Sequence, residues 1–210
     1  MTNASHHVSE PFVPDADRWN RNIHYHPLLL ALRPAGRVLD VGTGGGLLAR
    51  QFAPIADEVI GIDPDEASIE LARSETTQPN VTYVNGDVLT HAFEPESFDA
   101  VVSVATLHHF DAAAGLRRFA ELTKPGGSVG VIGIGAPGFL ATPRNALAFA
   151  STLFHEKVHG KQAWNHSAPM VWPPPLSERG MRRLGARVLP GSTFRRRLHG
   201  RYSIIWRKPA

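Results

Sequence analysis

The segment RVLDVGTGGG, residues 37–46, runs a compact apolar strand into a turn that holds four glycines. Glycines behind it permit positive φ and let a ligand approach the main chain closely. The same rhythm then repeats. LLARQFAPI continues with helical spacing until Pro54, EVIGID (58–63) reads as a strand and DEASIELARSE (65–75) as a helix. VTYVN (81–85) and FDAVVSV (98–104) are strands, AAAGLRRFAELT (112–123) is a helix capped by Asp111, and SVGVIGIG (128–135) is a fifth strand. Strands alternating with helices in this way specify a doubly wound, mostly parallel α/β sheet.

Before that core, residues 1–17 read as a loose arm. Residues 18–33, RWNRNIHYHPLLLALR, read as a short helix, a break at Pro27 and a second short helix. After Gly135 the alternation stops. Residues 136–176 hold a helix-like run and a Trp- and Pro-rich loop, including Phe139, Phe149, Phe154, Trp164 and Trp172. SERGMRRLG reads as a last helix with Ser177 as cap and Gly185 as stop. RVLPGSTF and RRLHGRYSIIWRK would close the sheet.

At 210 residues the chain suits one domain with a substantial core. It has no cysteine, which excludes disulfides, a thiol nucleophile and Cys–zinc sites. The polar start, MTNASHHVSEPF, lacks the basic and apolar regions of a secretory signal, and no apolar run reaches the ~18 residues of a membrane span. A cytoplasmic location is expected. The formal charge of +3 is uneven: residues 1–178 carry 12 basic and all 19 acidic residues, and residues 179–210 carry 10 basic residues and no acid. Such a tail suits a nucleic-acid or acidic partner. Its basic residues alternate with Phe194, Leu198, Tyr202, Ile204 and Trp206, which equally suits edge strands with a cationic outer face.

Two ligand classes fit the glycine turn. Gly44-x-Gly46-x-x-Ala49 satisfies a dinucleotide fingerprint, with Asp63 near the offset of a ribose-binding acid. Asp40-x-Gly42-x-Gly44 is a second register. In that register VLDVGTGGG, VIGIDPD, GDV, FDAVVSVATLHHF and LTKPGG together resemble the class I S-adenosylmethionine-dependent methyltransferases. The nearest likeness is to the small-molecule branch that includes the ubiquinone and menaquinone C-methyltransferases. The five motifs stand in the family's order and cover about residues 37–135, close to half the chain.

The resemblance implies a seven-stranded sheet with an antiparallel C-terminal edge strand, and S-adenosylmethionine as the cofactor, leaving S-adenosylhomocysteine. It divides one methyltransferase domain, 1–210, into lid helices (18–33), a cofactor-binding half (34–135), an acceptor-site insertion (136–176) and a closing helix and strands (177–210). Carried over position by position, it makes Val41, Gly42, Thr43 and Gly44 the floor under the methionine part. Asp40 would hold the amino group, directly or through water. Asp63, followed by Pro64, would accept from both ribose hydroxyls, since a carboxylate has two acceptor oxygens. Gly86, Asp87 and Val88 would meet the adenine, and Val104 and Ala105 the ring and sulfonium side. Tyr25 would close over the cofactor as part of a lid, or pack in the core. A pocket with acids at its rim suits a cation better than a pyrophosphate. Each acid also has a local alternative, as a turn cap or loop residue.

Methyl transfer is an in-line displacement, so the chain's task is to align an acceptor in a dry pocket. An acceptor that loses a proton also needs a base. His109, after the fourth strand, is the candidate base, and His108, His109 and Trp164 are candidate acceptor contacts; the His-His ending equally serves loop structure. The stretch ATLHHF differs from the Pro-Pro-aromatic motif of nucleic-acid aminomethyltransferases. A small-molecule acceptor is therefore expected, and nucleic acid is disfavoured as a partner. An RNA or protein methyltransferase using the basic C-terminus, and a non-catalytic S-adenosylmethionine-binding module, are the alternatives. One motif points elsewhere: HEKVH (155–159) places His155 and His159 about a turn apart around Glu156, as in zinc proteases. His166 lies seven residues past His159, not six, and position 162 is Gln rather than Gly. No metal is expected.

Overall fold

Alternation within each strand decides which layer a residue joins. In the computed structural model, which describes residues 14–135, 162–163 and 175–210, β1 (Arg37–Val41) sends Leu39 and Val41 to one face of the sheet and Val38 to the other. β2 (Glu58–Asp63), β3 (Val81–Asn85), β4 (Phe98–Val104) and β5 (Thr123–Ile134) follow in the chain. β6 (Thr193–Arg196) and β7 (Arg201–Arg207) complete the sheet. Its order is β3-β2-β1-β4-β5-β7-β6. β1 to β5 pair in parallel, whereas β7 runs antiparallel to both β5 and β6. The strand order turns back between β1 and β4, so their carboxyl ends open a crevice.

Helices cover both faces. α1 (His26–Leu30), α2 (Leu47–Phe52) and α3 (Glu66–Glu75) bury Tyr25, Leu29, Leu48, Phe52 and Ile69 with Val38, Val59 and Val102. α4 (Ala112–Leu122) and α5 (Glu178–Val188) bury Leu116, Phe119, Leu122, Met181 and Leu184 on the other face. Local chemistry sets the helix starts. The Asp65 carboxylate accepts from Ser68 N, that of Asp111 from Ala113 N and Ala114 N, and Ser177 Oγ from Gly180 N. No helix of the described residues is long and apolar enough to cross a membrane.

Among the described residues the expected strands and helices are found, with four differences. The N-terminal stretch is a 3₁₀ turn (Ile23–Tyr25) running directly into α1. Pro27 stands in the first turn of α1, where its missing N–H is harmless, so it opens a helix instead of interrupting one. Arg18–Trp19 form a two-residue strand parallel to Gln162–Ala163. Gly185 does not stop α5; it is buried inside the helix, and a Cβ there would lie 3.4 Å from Ile204 Cδ1. Of the two closing strands only β6 is an edge. β7 is interior, its exchange with β5 running from Ser128↔Arg207 to Ile134↔Arg201. Arg195 and Arg196 of β6 are exposed, the charged treatment that keeps an edge from pairing with another chain. The proposed insertion at 136–176 lies almost wholly outside the described residues, and so does the HEKVH motif.

Phe119 has no exposed surface and stands at the centre of the α4 layer. Phe119→Ala is expected to cost about 3–5 kcal/mol, read as a lowered midpoint in urea unfolding followed by circular dichroism.

Candidate functional site

The turn after β1 takes its shape from three left-handed glycines: Gly42 (φ +71°), Gly44 (φ +51°) and Gly46 (φ +77°). At two of them the neighbours also forbid a side chain. A Cβ on Gly42 would overlap Thr106 Oγ1, and one on Gly46 would overlap the Tyr83 hydroxyl. A Cβ on Gly44 would meet nothing within 4 Å, so this stretch of main chain faces open space. Gly42 N and Thr43 N both donate to Ile62 O, at 2.8 and 3.2 Å, tying the turn to β2.

Carboxylates hold the turn from two directions. Asp63, at the tip of β2, accepts from Gly44 N on Oδ2 (2.9 Å) and from Asp65 N on Oδ1 (3.0 Å). Each oxygen therefore keeps acceptor capacity for a ligand. Asp40 is only 2% exposed and lies on the α2 side, under the turn, where its Oδ2 accepts from Thr43 Oγ1 at 2.8 Å. Burial pushes its carboxyl up to about 7, with the Asp63 charge adding and the bonds from Thr43 and Ala49 N opposing. Asp40 thus supports the turn from below rather than standing open at its mouth.

Asp87 follows β3 and is exposed; its Oδ1 caps the next turn from Leu89 N at 2.9 Å. Gly86 N donates to Asp63 O (3.0 Å), which joins the β2 and β3 ends. Pro64 is exposed, and its carbonyl accepts from Asn85 Nδ2 at 3.1 Å. The side chains of Val41 and Val88 are in the core, so only their backbones are available to a ligand. Val104 and Ala105 are half-buried at the end of β4. Ala105 adopts φ +55°, a conformation that costs energy for a residue with a Cβ. Its N–H donates to Ile132 O at 2.7 Å, which fixes the turn.

His108 and His109 come next, their rings 4.1 Å apart. They differ in environment. His109 is exposed, whereas His108 is half-buried with an unpartnered Nδ1. Burial pushes the His108 imidazole down to about 4, helped by His109 and then by Arg201, so it is neutral near pH 7. Tyr25 is buried, and its hydroxyl donates to Leu198 O at 3.0 Å. Trp164 lies outside the described residues. Among the described residues no three His, Asp or Glu side chains gather as metal ligands.

Four supporting residues were not picked out in the sequence. Thr106 and Tyr83 close against the glycines, as above. Arg50 donates from Nη1 to Gly45 O (2.7 Å) and from Nε and Nη2 to Asp15 (2.6 and 2.8 Å), and Nη2 also reaches Glu75 at 3.0 Å. Arg18 adds a two-pronged contact to Glu75, at 2.8 and 2.7 Å. Both guanidiniums are buried. Together they clasp the segment before α1 to the far side of the glycine turn. The sequence offered one hint, a charged residue at Arg50 within an apolar helix.

A profile described as a methyltransferase domain matches residues 38–127. An uncharacterized methyltransferase of Mycobacterium tuberculosis is 37% identical over 194 residues, spanning 91% of this chain and 98% of its own. The chain belongs to the class I S-adenosylmethionine-dependent methyltransferases. A ubiquinone biosynthesis O-methyltransferase of Proteus mirabilis is 39% identical over 97 residues, 44% of this enzyme and 40% of the relative. The enzyme's fold is also that of the Haemonchus contortus phosphoethanolamine N-methyltransferase 2 solved with S-adenosylmethionine (TM-score 0.63, 17% identity, covering 91% of this chain and 53% of that one). A methyltransferase of Aquifex aeolicus gives a TM-score of 0.59 at 14% identity, covering 86% and 87%.

The buried carboxyl of Asp40 carries a stability consequence. Its folded pKa, about 7, lies above the unfolded value, so its contribution is fully present below about pH 4 and is lost as pH rises through 7. His26, lowered to about 4 by burial, and His108 act oppositely over much of the same window. The informative quantity is therefore the difference from Asp40→Asn. Between pH 4.5 and 7.5 the wild type is expected to lose roughly 2–4 kcal/mol relative to that variant, measured by urea unfolding at each pH.

Proposed function

We propose that this methyltransferase binds S-adenosylmethionine across the carboxyl ends of β1 to β4 and methylates a small-molecule acceptor. The observation that carries the reading is Asp63: its carboxylate holds the glycine turn by Gly44 N and still offers acceptor capacity on both oxygens, beside a stretch of bare main chain. Asp63 would take the ribose hydroxyls, and Asp87 and the backbone of Val88 the adenine. Gly42, Thr43 and Gly44 would form the floor under the methionine part, and Val104 and Ala105 the wall beside it.

The donor set fits this group. A carboxyl that burial has raised to about 7, flanked by a second carboxylate, is short of positive charge. A cationic ligand above the turn relieves that shortage, whereas a pyrophosphate aggravates it. The bound cofactor supplies an electrophilic methyl group on sulfur. The protein supplies position and a low-dielectric wall. His108, neutral at pH 7, can accept a hydrogen bond from an acceptor on Nδ1. His109, exposed next to it, is placed to pass a proton between the crevice and solvent.

The small-molecule reading is supported by ATLHHF after β4 and by the engagement of part of the basic tail in structure, as where Arg196 pairs with Glu178 at 2.6 Å. Turnover should accordingly change little with ionic strength, while a nucleic-acid acceptor would impose a steep dependence. The decisive experiment is calorimetric titration with S-adenosylhomocysteine together with labelled-methyl transfer into a metabolite extract. Asp63→Ala is expected to weaken binding of S-adenosylhomocysteine about 30-fold or more without loss of the folded state. Unchanged affinity in that variant would refute the placement of the cofactor.

A further inference from the structure

Arg201 opens β7 opposite Ile134, the last residue of β5, and so stands on the carboxyl rim of the sheet beside the β4 end that leads to His108. Its guanidinium is partly buried. Nε donates to Asn22 Oδ1 at 2.8 Å and Nη1 to His199 O at 3.1 Å. Both partners are neutral. Among the described residues no carboxylate lies within ion-pairing distance of Arg201, although the buried Arg18 and Arg50 each have two. Burial lowers the Arg201 guanidinium to about 10, helped by Arg21, next to Asn22, and opposed by Tyr25. It remains a full cation at neutral pH.

A partly buried cation without a carboxylate partner carries a desolvation cost that an anionic ligand would offset. Arg201 is moreover held rigidly. It follows a tight turn in which His199 (φ +56°) and Gly200 (φ +64°) are both left-handed. That turn is pinned by Tyr25 Oη to Leu198 O (3.0 Å) and by Gly135 N to Gly200 O (2.9 Å). The charge reaches His108, whose imidazole it helps to hold neutral and whose Nδ1 has no partner. A fixed guanidinium therefore stands on the carboxyl rim with Asn22, the neighbour of Arg21, bonded to it, and the buried, unpartnered Nδ1 of His108 follows the end of the adjacent β4.

We propose that Arg201, with Arg21 and His108, binds an anionic group, carboxylate or phosphate, on the methyl acceptor. This rests on the cofactor placement proposed above and narrows the acceptor to an acid. The guanidinium donates to the anion's oxygens, Arg21 adds charge from the rim, and His108 meets the part of the acceptor nearer the transferred methyl. Arg201 is an acceptor-binding residue in this arrangement; no proton moves to or from it.

The test uses the full chain saturated with S-adenosylhomocysteine, with benzoate and inorganic phosphate as probes. Histidine Cε1–H resonances are followed by NMR, His108 being assigned through His108→Gln. The expected result is a saturable shift of His108 with one or both anions. Arg201→Gln should weaken that response about tenfold or more, and Arg201→Lys should weaken it less. Preference for benzoate assigns a carboxylate to the acceptor, and preference for phosphate a phosphoryl group. Arg21→Gln, at an exposed position, supplies a second arm should Arg201→Gln fold poorly, and is expected to lower affinity several-fold. Three results would each overturn the inference: no shift with either anion while S-adenosylhomocysteine still binds; shifts indifferent to both arginines; or tenfold weaker S-adenosylhomocysteine binding in Arg201→Gln, which would give the guanidinium to the cofactor. Failure of the wild type to bind S-adenosylhomocysteine at all would instead refute the cofactor reading itself.

Discussion

The hydrogen bond from Gly44 N to Asp63 Oδ2 joins the two parts on which this site depends. It ties the glycine turn of β1 to the acidic tip of β2, and it spends only part of the carboxylate's capacity. Beneath the same turn, Thr43 reaches down to Asp40, a carboxyl with almost no access to water. Two acids therefore shape a turn whose only side chain, that of Thr43, is spent on one of them. The elevated pKa of Asp40 is the electrostatic strain of that arrangement. A polar support retained in this form suits a pocket meant for positive charge.

A second set of charges works differently. Asp15, Arg18, Arg50 and Glu75 neutralise one another in a largely buried cluster, and Arg50 donates to Gly45 O. Buried pairs of this kind add little net stability over an apolar replacement, but removing one member leaves its partner stranded. Their result here is placement: the segment before α1 is fixed against the turn. That segment also brings Asn22 and Arg21 to the opposite end of the rim. Arg18 and Arg50, each paired with two carboxylates, stand in contrast to Arg201, whose hydrogen-bond partners are neutral.

The sequence disclosed the sheet well because its information is local. β1 to β5 are apolar runs bounded by turn residues, and Asp111 and Ser177 announce their helices by capping chemistry. Asp40, Asp63 and Asp87 were legible as a set because strand ends bring them to one rim whatever lies between. What stayed hidden was tertiary. Gly185 looks like a helix stop, but it lies inside α5 in ordinary contact with Ile204, a placement only the tertiary structure shows. Pro27 looks like a break because position in a helix, not composition, decides its effect. Tyr25 could be read as lid or core until Leu198, far away in sequence, turned out to accept its hydroxyl proton. Thr106 and Tyr83 carry no motif; their roles follow from which glycines they crowd.

The interior position of β7 bears on how the molecule is made. Residues 201–207 follow β6 in the chain, yet they separate β5 from β6 within the sheet. During synthesis β1 to β5 can assemble while β6 has no neighbour to pair with. β1 to β5 can thus pair with one another first, but the rim that carries Arg201 closes only once the β6–β7 hairpin has docked on β5.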